Sequence, residues 1–154
     1  FYMSDPKEST AQSSTHRKSR LRAWLPFILW GVLIFTFSSL PTTPTTEIYW
    51  QDFVIKKSAH IIEFFVLTLL LFKALRFEGV PIHKTFWSIV VFGVFYAITD
   101  EFHQSFTPGR QPTLRDVLID TTGILLAVYF LYRLDTLRSK YTNLKKVSVF
   151  LNYE

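Results

Sequence analysis

Two histidines, five carboxylates and two arginines stand at spacings that suit chemistry. Lys56, His60 and Glu63 are separated by four and three positions, so one face of a helix carries all three. Asp100, Glu101, His103 and Gln104 follow in one short run, and Asp116 and Asp120 lie one helical turn apart. His60, Glu63, Asp100, Glu101 and His103 are the residue types that perform general acid–base work, and they form the candidate catalytic set. His60, Glu63 and His103 are also the candidate ligands for a divalent metal, through two imidazoles and a carboxylate. Lys56, Gln104, Arg110, Asp116 and Asp120 are candidate ligand-binding residues. Arg110 is placed to pair with Asp100 or Glu101, or to hold a phosphate or carboxylate of a ligand. No H-E-x-x-H is present, the two histidines lie 43 positions apart, and no serine sits in a nucleophile-elbow motif. The absence of cysteine excludes a thiol nucleophile, a disulfide framework and any Cys-ligated metal.

The elements that must position these groups follow from the apolar residues. In 154 residues, 49% are hydrophobic and 18% aromatic, more than a soluble domain of this size can hide. Residues 24–40 carry no charge and end at Ser38–Ser39 and a Pro-rich stretch, as expected of a first transmembrane helix. Three further apolar segments, 58–75, 85–103 and 114–133, are separated by short polar connections. The expected fold is all-α: an integral membrane four-helix bundle with antiparallel neighbours. Its domain occupies 23–134, between a disordered basic cytoplasmic tail at 1–22 and a basic cytoplasmic tail at 135–154. The uncharged runs inside the later helices are only 9, 15 and 12 residues long, against about 20 needed to span. The ionisable residues therefore belong at membrane depth.

Orientation comes from the charge. With both termini cytoplasmic, 13 of the 17 Lys/Arg fall inside and Lys56, Lys57, Arg110 and Arg115 fall outside. Seven of the 12 acidic residues fall outside, so the +5 divides into about +8 within and −3 beyond. A nucleic-acid partner is not required by this balance. The polar groups then gather at the extracytoplasmic end. Small-residue stripes continue two of them: Gly93, Ala97, Asp100, Gln104 on one helix and Asp116, Asp120, Gly123, Ala127 on another. Small residues let membrane helices approach, which directs the polar groups into the bundle. Pro108–Gly109 suits a type II turn that would aim Arg110 over the mouth of the bundle.

The runs K-S-A-H-I-I-E-F-F (57–65), Y-A-I-T-D-E-F-H-Q-S-F-T-P-G-R (96–110) and D-V-L-I-D-T-T-G (116–123) resemble the VanZ-like family of bacterial membrane proteins. F-S-S-L-P (37–41) is similar to the family's first-helix signature, and the likeness spans about 24–132. The resemblance implies a small four-helix protein of the bacterial cell envelope, in a family whose founding member is tied to low-level resistance to the glycopeptide teicoplanin. Asp120 stands where that pattern often has Asn, and Ala127 where it has a second Gly.

Three functions are open at this stage. The first is an outward-facing pocket that binds a lipid-linked envelope component, an anionic lipid headgroup or a glycopeptide. The second is a membrane-embedded hydrolase or transferase acting on an envelope lipid through the His/carboxylate set, with or without a divalent metal. The third is a structural or assembly partner of another membrane protein. The partner expected in every case is the lipid bilayer.

Overall fold

A computed structural model describes residues 6–41, 49–108, 110 and 113–151, with side chains described from 19 to 141 within those stretches. Four α-helices account for nearly all of them: α1 (Pro6–Ser38), α2 (Tyr49–Phe77), α3 (Ile82–Gln104) and α4 (Leu114–Leu151). Each contains a stretch long and apolar enough to cross a bilayer: Ser19–Ser38, Tyr49–Phe77, Ile82–Gln104 and Leu114–Tyr141. At about 1.5 Å per residue even the shortest reaches the thickness of the hydrocarbon core. The chain is a multi-pass membrane protein with an all-helical bundle.

The helices exceed their apolar cores for identifiable reasons. α2 begins at Tyr49, well before the expected 58, because Asp52 lies in its first turn and pairs with Lys56 one turn on at 2.7 Å. α1 is helical from Pro6, and α4 continues to Leu151, so the backbone is helical in parts of both segments that composition alone reads as tails. Proline suits the first turn of a helix, where its missing N–H has no partner to lose. The α2–α3 connection is compact. Gly79 takes a φ of 76°, its N–H reaches the Arg76 carbonyl at 3.1 Å, and the Val80 N–H reaches Leu75 at 3.2 Å. This pair of bonds is the Schellman ending that glycine permits, and Pro81 then opens α3. Thr113 caps α4, accepting the Asp116 N–H on its hydroxyl at 3.3 Å.

The interior is narrow. Ile34, Phe64, Leu67, Ala97 and Ile124 form its centre, with Phe27, Trp30, Tyr96 and Val128 packed around them. Large apolar side chains such as Leu29, Val32, Val91, Phe95 and Leu125 point outward, as expected where the surrounding solvent is lipid. α2 packs against all three other helices, α3 also meets α1 and α4, and α1 and α4 form no comparable contact among the described residues. The small-residue stripes lie inside: Gly93, Ala97, Gly123 and Ala127 are all buried. At Gly123 an added Cβ would lie 2.3 Å from the Ile61 carbonyl oxygen, so α2 and α4 meet backbone to side-chain-free backbone. Two polar ties cross the apolar layer: Tyr96 Oη donates to the Gly31 carbonyl at 2.6 Å and Trp30 Nε1 to that of Glu63 at 2.9 Å. At the opposite end from the polar cluster, Arg20 Nε donates to Glu78 at 2.9 Å and Trp24 Nε1 to the same oxygen at 3.0 Å, fastening α1 to the α2–α3 turn.

Candidate functional site

Alternating helix directions bring the end of α1, the start of α2, the end of α3 and the start of α4 to one end of the bundle. The deepest groups there are Asp100 and Asp120, each 1% exposed. Asp100 extends from the small-residue face of α3, and its Oδ2 accepts from Ser38 Oγ of α1 at 2.8 Å and from Gln104 Nε2 at 2.7 Å. Gln104 Oε1 in turn accepts from Arg110 Nη1 at 2.7 Å, and Arg110 Nη2 reaches the Phe37 carbonyl at 3.4 Å. Serine, carboxylate, amide and guanidinium thus form one chain joining α1, α3 and the loop after it. Asp120, from α4, faces α2, where His60 Nδ1 stands 3.1 Å from its Oδ1. The separation is that of an ion pair, and Asp120 Oδ2 has no hydrogen-bond partner. Ligand atoms of His60, Asp100 and Asp120 all lie within 4.8 Å of one another.

Above this acidic floor lies a cavity of about 780 Å³. His60, Glu63, Gln104 and Arg110 line its polar side, Lys56, Lys57, Arg115 and Asp116 its rim, and Phe37, Leu40, Tyr49 and Phe53 its apolar side. Lys57 pairs with Asp116 at 2.8 Å, while Arg115 lies 3.6 Å from that carboxylate and 4.9 Å from the Phe53 ring. The cavity lies where α1 and α4 leave room between them. Asp100 and Asp120 lie buried outside its lining, and both signs of charge line it: Asp52, Glu63 and Asp116 beside Lys56, Lys57, Arg110 and Arg115.

Most residues anticipated from spacing lie at this end of the bundle, with contacts that differ from the expected ones at three points. Arg110 forms no ion pair with Asp100 or Glu101; it reaches Asp100 only through Gln104, and its buried Nε has no partner. Glu101 is instead occupied by α4, its Oε1 accepting the Thr113 N–H at 2.6 Å. The set His60, Glu63 and His103 does not assemble as metal ligands among the described residues; His60 is grouped with Asp100 and Asp120. His103 is one residue from Gln104 and so turns about 100° away from it, where its ring stacks on Phe35 at 3.7 Å. The Arg110 N–H bonds to Thr107 O at 3.2 Å, closing a four-residue turn, but its type depends on Gly109, which lies outside the described residues. Lys56, expected to face the pocket, does so while bound to Asp52.

Two contributors were not in the candidate set. Ser38 is a direct donor to Asp100. Thr113 fixes Glu101 and caps α4, and the T-x-x-D spacing of Thr113 and Asp116 is the signal that could have found it.

Four helices long and apolar enough to cross a membrane, with ionisable side chains gathered at one end of the bundle, define a small multi-pass membrane protein. The chain belongs to the VanZ/LLP1 family, whose family model matches residues 1–136. Neither a curated protein nor a solved structure matches it.

Proposed function

We propose that the cavity binds the anionic headgroup of an envelope lipid, with the acyl or prenyl chain lying against the apolar outer surface of the helices. The observation that carries this reading is Arg110. Its guanidinium lines the cavity, is held by neutral groups, and pairs with no carboxylate among the described residues. An arginine so placed keeps its charge available for a phosphate or carboxylate. Lys57 and Arg115 stand on the same wall around Asp116, and the aromatic rim of Tyr49 and Phe53 suits the depth of lipid headgroups. The volume is that of a site for a drug-sized molecule. It favours a headgroup over a whole glycopeptide antibiotic. By the charge asymmetry of the sequence the pocket faces the extracytoplasmic side and both termini are cytoplasmic.

The test is the lipid that stays with the protein. Chain extracted from bilayers of mixed phosphatidylglycerol, phosphatidylethanolamine and a prenyl phosphate is weighed intact by native mass spectrometry. Selective retention of a phosphate-bearing anionic lipid is the expected result. Adducts in proportion to bilayer composition would sink the proposal.

A hydrolase or transferase acting on the bound lipid is the second reading. It is favoured by His60, which lines the same cavity with Asp120 behind its ring and Glu63 one turn away. It requires turnover of the retained lipid that disappears in His60→Ala; a lipid recovered unchanged after prolonged incubation argues for binding alone.

A further inference from the structure

We infer that His60, Asp100 and Asp120 form a binding site for a single first-row divalent cation, of the Zn²⁺ or Mn²⁺ type, in the floor beneath the cavity. The inference is independent of lipid binding, because it rests on different atoms.

Three features support it. The first is convergence: three helices each send one ligand to a common point, with all three ligand atoms within 4.8 Å of one another. Two atoms each about 2.1 Å from a shared ion stand about 3.0 Å apart in octahedral and about 3.4 Å apart in tetrahedral coordination. The 3.1 Å between His60 Nδ1 and Asp120 Oδ1 falls in that interval.

The second feature is the unspent acceptors. Asp120 is 1% exposed; its Oδ1 meets His60, but its Oδ2 has no partner, and neither has Asp100 Oδ1. Most buried side-chain acceptors have a partner. Glu101 Oε2 and Asp116 Oδ1 also lack a hydrogen bond, but among the described residues only Asp100 and Asp120 gather with an imidazole. Both carboxylates bring an oxygen within 4.8 Å of the other and of an imidazole nitrogen. Two carboxylates so deep within membrane-spanning helices carry a charge that one dication cancels.

The third is support from behind. Ser38 and Gln104 both donate to Asp100 Oδ2, which fixes that carboxylate and leaves Oδ1 without a hydrogen bond. Metal ligands are oriented by outer hydrogen bonds of this kind. One imidazole with two carboxylates is a donor set for a borderline cation such as Zn²⁺ or Mn²⁺ rather than for Mg²⁺. The cluster also explains why Asp120 is useful where an asparagine would leave one anionic ligand fewer.

The experiment uses full-length protein in detergent, stripped with a chelator and equilibrated with ZnCl₂, MnCl₂ or MgCl₂ alone. Metal per chain is read by plasma mass spectrometry and the melting temperature by intrinsic fluorescence. About one equivalent of Zn²⁺ or Mn²⁺ with a raised melting temperature, and no retained Mg²⁺, is expected. His60→Ala and Asp120→Asn should fall below about 0.1 equivalent, and Ser38→Ala should bind about tenfold more weakly. His103→Ala, whose ring lies against Phe35, should keep the metal. Wild-type protein holding less than about 0.1 equivalent of either ion overturns the inference whether or not the variants fold. So does full retention in both His60→Ala and Asp120→Asn. Protein that binds metal but no anionic lipid upholds this inference and defeats the lipid reading.

Discussion

Ser38 and Ser39 are neighbours of the same type with opposite roles. Ser38 Oγ donates to the buried Asp100, whereas Ser39 Oγ turns back onto the Phe35 carbonyl at 2.7 Å on the exposed side of α1. Replacing Ser38 by Ala leaves Asp100 Oδ2 with Gln104 as its remaining donor. A hydrogen bond to a charged group is worth about 1.5–3 kcal/mol, so Ser38→Ala should lower stability by roughly that amount. Ser39→Ala should change it by less than about 0.5 kcal/mol. Unfolding of the two variants in the same detergent checks the contrast, and equal losses would mean that the Ser38–Asp100 bond contributes nothing. The sequence places both hydroxyls at the end of the first helix but cannot separate them, because one residue of helix rotation decides which one faces the acid. The same limit applies to the histidines. His60 and His103 are equivalent as residue types, and only the ring of Phe35, 68 positions before His103 in the chain, shows that His103 lies elsewhere.

The stripes on the helices were the most legible part of the chain. Spacing alone aligned Asp100 with Gly93 and Ala97, and Asp120 with Gly123 and Ala127, and all six are buried. The reason is physical: a period of 3.6 residues and the close approach allowed by small side chains are local properties. The start of α2 was less legible, since Asp52, Lys56 and Lys57 interrupt the apolar run while their ion pairs stabilise the helix. Partner choice across helices was not legible at all, and Arg110 found Gln104 instead of an acid. Gly123 offers the sharpest test at this scale. Its α-carbon faces the Ile61 carbonyl so closely that Gly123→Ala must push α2 and α4 apart. A loss of about 1–3 kcal/mol is expected, typical of overpacking. Gly31→Ala, where the nearest atom would be 3.6 Å away, should stay within about 0.5 kcal/mol of wild type. Comparable melting temperatures for the two would contradict the packing described between α2 and α4.

Across the whole molecule, the two ends differ in chemistry. One holds the buried acids and the charged cavity; the other holds Arg20 locked to Glu78, together with most of the remaining basic residues. The orientation drawn from this asymmetry is open to direct test, because the chain has no cysteine and one can be added anywhere as a unique label. Ser105→Cys, on the exposed α3–α4 connection, should react with an impermeant maleimide applied to whole cells, and Lys84→Cys should react only after lysis. The reverse pattern would turn the pocket toward the cytoplasm. Entry of an anionic headgroup beside Arg110 is decided by comparing lipid retention in Arg110→Ala and Lys84→Ala. Both lose one positive charge, at opposite ends of the bundle. Retention of the phosphate-bearing lipid should fall about tenfold or more in Arg110→Ala, the scale of one charge-assisted hydrogen-bonded contact, and stay at the wild-type level in Lys84→Ala. Undiminished retention in Arg110→Ala, or an equal fall in both, would contradict it.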